Sequence, residues 1–325
     1  MREVGFVIRR LSEPAAVRDE MAADVVAGLT GSEKWLPPKY FYDARGSELF
    51  EDITRLPEYY PTRAELEILE RHAADLMAAA RPTEVLELGS GSSRKTRLLL
   101  EAMHDLGTGS RYVPLDVSED ALRGAAEALT ADEPWLEVEG LVGDFHADLD
   151  HLPPSPGRLV AFLGSTIGNL DPTERTAFLA SVAASLGAAD RFLVGVDLVK
   201  DPGTLEAAYD DAAGVTAEFN RNVLVVLNRE LGANFDVGAF EHVAAYDKEN
   251  AWIEMRLRAT RAMEVTFPTL DLTVSFGSGE EMRTEISCKF TPDGFQAELA
   301  AAGMVTERWL TDEEERFGLA LARRP

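Results

Sequence analysis

Cysteine is nearly absent. Cys288 is the single one in 325 residues, so no intrachain disulfide can form and no cysteine-based zinc site can be built. A chain with one thiol suits a reducing compartment, and the cytoplasm is the expected location. Long apolar runs are missing as well: no stretch reaches the ~18 residues that mark a membrane span. The opening residues MREVGFVIRRLSEP contain no apolar block of the kind found in a secretory signal. Positive charge is scarce, since 32 Lys+Arg against 57 Asp+Glu leaves a formal net charge of −25. Such a surface repels phosphate backbones and anionic lipid, so neither nucleic acid nor membrane is expected as a partner. Repeats and low-complexity tracts are also lacking. What remains is ordinary globular composition, 46% hydrophobic and 27% charged, which excludes wholesale disorder. At 325 residues the chain has room for about two domains and is too long for a small stapled scaffold.

Helical spacing of Ala, Val, Met and Leu runs from Pro14 to Thr30 and is stopped by Gly31-Ser32. Trp35 to Tyr60 reads as aromatic and irregular, broken by Pro37-Pro38 and Pro57. A second amphipathic helix spans Thr62 to Ala80, with Pro61 just before it and Glu65 and Glu67 near its start. From Thr83 onward, short apolar runs alternate with helical stretches. Thr83–Leu88, Arg111–Val117, Leu136–Val142, Arg158–Ser165 and Arg191–Val199 read as strands. The intervening helices cover Arg94–Leu106, Ser118–Leu129 and Asp171–Leu186. This alternation predicts an α/β fold with a doubly wound parallel sheet. After Lys200 it stops: a long helical region, interrupted near Gly214, precedes strand-like runs at Ala251–Thr260, Met263–Phe267 and Leu270–Phe276, which suggest an antiparallel meander. A helix after Thr291-Pro292-Asp293 and two runs, Val305–Leu310 and Phe317–Ala322, then return to the sheet.

Glu87-Leu88-Gly89-Ser90-Gly91 follows the first of those strands and opens a helix, where glycine lets the backbone turn tightly against a ligand. A dinucleotide fingerprint would need glycine at the position held by Arg94. The acidic residue before the glycines favours S-adenosylmethionine instead. Asp116 ends the second strand, where a carboxylate can accept both ribose hydroxyls, and Asp144-Phe145 ends the third, suited to the adenine amino group and ring. Acids at successive strand ends share the edge at which parallel sheets bind ligands.

The whole chain resembles the histidine-specific, S-adenosylmethionine-dependent methyltransferases of ergothioneine biosynthesis. The resemblance rests on KYFYDARGSELF (39–50), PEYYPTR (57–63), ELGSGSSRKT (87–96), GSTIGN (164–169) and EISCKF (285–290), and it covers nearly the full length. It implies a Rossmann-type methyltransferase domain at 61–199 and a mixed α+β substrate domain inserted at 200–285, to which residues 1–60 contribute, with 286–325 returning to the first domain. It further implies Nα-trimethylation of free L-histidine to hercynine by a monomer that needs no metal. Carried over by position, the cofactor contacts would be Gly89, Lys95, Asp116, Asp144 and Phe145. Substrate contacts would be Tyr42, Tyr59, Asn169, Tyr209, Met255, Glu285 and Ser287, with Tyr42 and Asn169 nearest the chemistry. Two other readings are a same-fold methyltransferase for another amino acid or amine and a non-catalytic S-adenosylmethionine-binding subunit.

Methyl transfer from a sulfonium to an amine is an in-line displacement, so alignment and an unprotonated amine are what the protein must provide. Asn169 and Tyr209 offer neutral donors to a substrate carboxylate. Glu285 can accept from an imidazole N–H while Ser287 serves the other nitrogen, and a spacing of two puts both on one face of an extended segment. The run Asp144-Phe145-His146-Ala147-Asp148-Leu149-Asp150-His151 matches no ligand spacing and reads as a polar loop. Met255 and Tyr59 also suit packing, Cys288 suits a buried apolar position, and His72, His104 and His242 stand isolated.

Overall fold

The computed structural model describes residues 5–149, 152 and 155–325. The chain divides into two units: one comprises the stretch ending at Leu11, Pro61–Val199 and Cys288–Pro325, the other Ser12–Tyr60 and Lys200–Ser287.

Unit 1 is built on an 8-stranded sheet of order β1-β5-β4-β3-β6-β7-β14-β13. Its strands are β1 (Val7–Arg10), β3 (Glu84–Leu88), β4 (Arg111–Asp116), β5 (Glu137–Val142), β6 (Arg158–Phe162), β7 (Arg191–Asp197), β13 (Val305–Thr311) and β14 (Phe317–Arg323). β3 through β7 pair in parallel, while β14 lies antiparallel to both β7 and β13. Strands buried on both faces favour continuous apolar runs, and most of β6 and β7 is such a run, while β3 is buried along its length and carries two carboxylates, Glu84 and Glu87. Helices α3 (Pro61–Ala80), α4 (Thr96–Asp105), α5 (Glu119–Asp132), α7 (Pro172–Ser185) and α10 (Pro292–Ala301) connect or cover the strands, with one short turn of helix, α6 (Phe145–Asp148). Local chemistry sets their starts: Ser118 Oγ accepts from Ala121 N at 3.3 Å, and Asp171 with Glu174 forms a reciprocal cap on α7.

β1 corrects the expectation that residues 1–60 belong together. It pairs in parallel with β5, from Val7 opposite Glu139 to Arg10 opposite Val142. That pairing gives the edge of β5 backbone partners it would otherwise lack. The chain enters the other unit only at Ser12, and it leaves that unit at Ser287 and not at residue 285.

Unit 2 contains α1 (Pro14–Leu29), β2 (Lys34–Trp35), a 3-10 turn at Pro38–Phe41, α2 (Ala44–Ile53), α8 (Pro202–Tyr209), α9 (Val215–Leu231), β8 (Phe240–Asp247), β9 (Trp252–Ala259), β10 (Met263–Phe267), β11 (Leu272–Phe276) and β12 (Glu281–Cys288). Its 4-stranded sheet has the order β2-β12-β9-β8, and β10 and β11 form a separate antiparallel pair. The expected meander of β9, β10 and β11 is therefore not formed: β9 takes β8 and β12 as neighbours. A core of Phe41, Phe219, Val223, Leu227, Phe240 and Phe276 holds the unit. Part of the stretch read as irregular is helix α2, capped by Asp43, whose Oδ1 accepts from Gly46 N at 2.8 Å.

Candidate active site

In unit 1 the chain turns sharply where β3 ends. Gly89 has φ +66°, a conformation that costs glycine nothing. A Cβ there would lie 3.9 Å from the Phe145 ring, so the ring faces the glycine loop. Phe145 stands edge-on to Phe162 and Phe178, at 5.0 and 5.8 Å between centroids. Asp116, at the end of β4, grips the same loop: Oδ2 accepts from Gly91 N and Oδ1 from Ser118 N, both at 2.9 Å. Burial pushes the Asp116 carboxyl above its ordinary value, while the amides of Ser118, Gly91 and Val117 pull it down. A carboxylate at a strand end, with acceptor capacity beyond these amides, is the group a ribose hydroxyl requires. Ser90 Oγ, between the two glycines, is buried and has no hydrogen-bond partner, an orphan that a bound ligand would satisfy. Asp144 anchors α6 through its backbone N–H, which donates to Asp148 Oδ2 at 2.9 Å. An orphaned donor, a diol-ready carboxylate and a ring beside the glycine loop fit an adenosyl cofactor.

Lys95, the residue before α4, pairs with buried Glu65 of α3. The same Glu65 accepts Gly164 N at 2.9 Å on both oxygens, so one buried carboxylate joins the Lys95 ammonium to the start of the 164–169 motif. Glu65 was legible only as an acid near a helix start; its burial comes from tertiary structure. Glu87 proves to be structural: it is buried, and its carboxylate accepts from Thr96 Oγ1 and Tyr112 Oη. Ser93 Oγ and Tyr112 Oη are 2.7 Å apart, which ties the end of the loop into the same cluster.

Burial raises Glu87 to about 7, against the lowering by Thr96, Tyr112 and Lys95. A raised carboxyl contributes stability that is fully present below its unfolded value of 4.5 and is lost as pH rises through about 7. Glu87→Gln has no such proton to lose. Its Tm relative to wild type is therefore expected to climb between pH 4.5 and 7.5, and a parallel pair of Tm–pH curves would contradict this.

Asn169 closes a 3-10 turn at Thr166–Asn169, and both flanks are held. A Cβ on Gly168 would meet Cys288 O at 2.9 Å, so the backbones approach as only glycine allows. On the other side, Arg175 Nη1 donates to Leu170 O at 2.9 Å. Ser165 Oγ accepts from Asp197 N at 2.9 Å.

In unit 2 a line of aromatic rings joins three of the expected substrate residues. Tyr42 is edge-on to Phe50 at 5.7 Å, Phe50 to Tyr59 at 6.2 Å, and Tyr59 to Tyr209 at 6.3 Å. Tyr209 Oη and Ser287 Oγ are 2.7 Å apart. Ser287 and Glu285 are both buried and share one face of β12, as the spacing of two predicts. Met255 is buried on β9, the neighbouring strand. Thus Tyr42, Tyr59, Tyr209 and Ser287 form one connected set, Glu285 and Met255 lie on adjacent strands of the sheet that carries Ser287, and Asn169 belongs to unit 1.

Among the described residues no group of three or more His, Cys, Asp or Glu could hold a metal ion. In the 144–151 run, residues 150 and 151 lie outside the described residues. No described helix is long and apolar enough to cross a membrane.

A family model described as histidine-specific, S-adenosylmethionine-dependent methyltransferase matches residues 21–324. A histidine N-alpha-methyltransferase of Mycolicibacterium smegmatis is 54% identical over 306 residues, 94% of this chain and 95% of that protein. One of the same name from Mycobacterium tuberculosis is 52% identical over 92% of this chain and 93% of that protein. Ergothioneine biosynthesis protein 1 of Schizosaccharomyces pombe is 34% identical over 66% of this chain, which spans only 29% of that longer protein. With the doubly wound sheet, the glycine loop and the strand-end acids in place, the chain belongs to the S-adenosylmethionine-dependent, histidine-specific methyltransferase family.

Proposed function

We propose that this chain transfers methyl groups from S-adenosylmethionine to the α-amino nitrogen of free L-histidine, three times in succession, giving hercynine in ergothioneine biosynthesis. The observation that carries the substrate is the buried Glu285/Ser287 face of β12 with Tyr209 bonded to Ser287. A carboxylate and a hydroxyl at that spacing address the two nitrogens of an imidazole, which an apolar side chain could not engage. The names and high identity of the mycobacterial relatives support the same reading.

Gly89, Lys95, Asp116, Asp144 and Phe145 would hold S-adenosylmethionine, which when bound supplies a methyl group on a sulfonium. Asp116 would take the ribose hydroxyls, Phe145 would pack on the adenine, and Lys95, paired with Glu65, would serve the aminoacyl end. Tyr209 of unit 2 offers a neutral donor suited to a substrate carboxylate, as does the Asn169 amide of unit 1. Tyr42 orients the α-amine. Thiol-poor composition supports a cytoplasmic setting.

The test is mass spectrometry of L-histidine incubated with the purified chain and S-adenosylmethionine, with other amino acids in parallel. Three successive methyl additions with formation of S-adenosylhomocysteine are expected. A folded, cofactor-binding protein that leaves histidine unchanged overturns the substrate, and faster turnover of another amino acid identifies the alternative. On the cofactor side, Asp116→Asn keeps an acceptor but loses the charge. S-adenosylmethionine binding by titration calorimetry is expected to weaken about tenfold. An unchanged affinity would remove the ribose role.

A further inference from the structure

Behind Tyr209 lies a buried polar chain that none of the sequence motifs includes. Asn220 of α9 is fully buried, and its Nδ2 donates to the Arg256 carbonyl at 3.1 Å. A carbonyl can only accept, so the orientation of the amide is settled. The Thr284 hydroxyl accordingly has two acceptors for its one hydrogen, Asn220 Oδ1 at 2.7 Å and the Met255 carbonyl at 3.1 Å. The other Nδ2 hydrogen points to His242 Nδ1 at 2.8 Å. Nδ1 is therefore the acceptor of the ring, and Nε2 carries the hydrogen that it donates to the Tyr209 carbonyl at 2.8 Å. With acceptor-only carbonyls of Arg256 and Tyr209 at the two ends, the protons of Asn220 and His242 have one order.

Tyr209 is the last residue of α8, and the final carbonyls of a helix have no partner inside it. His242, from β8, supplies that partner. The imidazole thus pins the backbone of the residue whose Oη meets Ser287 Oγ at 2.7 Å. At its other end the chain reaches Thr284, next to Glu285 on β12. We propose that His242, as the neutral Nε2–H tautomer, is the positioning residue for substrate recognition by Tyr209, Ser287 and Glu285, an inference that rests on the histidine methyltransferase reading. Burial holds the imidazole below its usual value, together with the charge of Arg221, against the bond to Tyr209 and the charges of Asp210 and Asp211. Protonation would set a second N–H on Nδ1 against the Asn220 amide, donor against donor.

Two variants of the full chain separate positioning from bulk. Leucine at 242 fills space without a donor, whereas a glutamine amide can present an N–H near the place of Nε2–H. His242→Leu is expected to raise KM for L-histidine about tenfold, with kcat within about threefold and S-adenosylmethionine affinity unchanged. His242→Gln is expected to stay within about threefold of wild type in all three. Nitrogen-correlated NMR of the free protein at pH 7 is expected to show His242 neutral with the hydrogen on Nε2. Unchanged histidine KM in His242→Leu, an equal loss of cofactor affinity, no rescue by His242→Gln, or a protonated or Nδ1–H ring overturns the proposal. Should His242→Leu not fold, the glutamine variant and the NMR tautomer still decide. Failure of the wild type to turn over histidine is a different result: it overturns the functional reading itself and is visible before any variant is made.

Discussion

In Glu285→Ala, kcat/KM for L-histidine is expected to fall about 10²–10³-fold while S-adenosylmethionine binds as in wild type. Glu285 is only 8% exposed, so water does not readily replace what the side chain provides. A hydrogen bond from an imidazole N–H to a carboxylate contributes roughly 1.5–3 kcal/mol. Alanine removes it and leaves the ligand's N–H buried without a partner, which costs about 1–3 kcal/mol more. The lower part of that combined range already corresponds to two orders of magnitude. Glu285→Gln keeps an acceptor oxygen and loses only the charge, so a loss of about tenfold is expected there. Steady-state kinetics on both variants, with calorimetric titration of the cofactor, separates the effects. A histidine kcat/KM within about threefold of wild type in Glu285→Ala would mean that the imidazole is read elsewhere.

The parallel strands were legible because strands buried on both faces are spelled as apolar runs and end in Gly or Asp. β4, β6 and β7 come nearest to that spelling, whereas β3 and β5 each carry two glutamates and were legible from the glycine that follows each. The break between α8 and α9 was legible for a similarly local reason: Gly214, with φ +76°, stands where the helical spacing is interrupted. Partner choice was not legible. Periodicity tells which face of Trp252–Ala259 is buried, but nothing within those residues says that β8 and β12 flank it. β1 was missed because its four residues are mostly exposed and gain strand geometry only from β5. In α2 the apolar positions Leu49, Phe50 and Ile53 were present behind the Asp43 cap, but neighbouring aromatics and prolines concealed them.

At the site the same division holds. Asp116 and the glycine loop could be read from strand ends, and the structure adds that Asp116 also binds the loop's own amide. Glu87 marks the glycine loop in the sequence, and its bracing of that loop was not legible because its partners Thr96 and Tyr112 come from different elements. Glu285 and Ser287 carry their information in a spacing of two, which survives in any strand. Asn220, His242 and Thr284 come from three separate elements, so no window of sequence contains their relation.

Lys289→Met is expected to be the most damaging substitution for stability, because it isolates a charge at the place where the chain re-enters unit 1. Lys289 Nζ and Asp197 Oδ2 are 2.9 Å apart, and both side chains are buried. Around them Phe290 N donates to Asp197 O and Val199 N to Phe290 O, each at 2.9 Å, so the pair lies against a short parallel bridge beyond the end of β7. Forming such a pair gains little over apolar residues of equal size, since both ions lose their water. Removing one partner is another matter: Asp197 stays buried and loses the cation 2.9 Å away, at a cost of about 3–5 kcal/mol. For a unit of this size that corresponds to a drop in Tm of roughly 6–20 °C. Asp197→Asn in the same background removes the stranded charge, so the double variant is expected to recover part of the loss. Differential scanning calorimetry of the two singles and the double measures that coupling directly. If Lys289→Met melts within about 1 °C of wild type, the pair is not what holds the returning strand. If the double variant is as unstable as the sum of the singles, the loss comes from lost packing of the lysine stem and not from the isolated carboxylate.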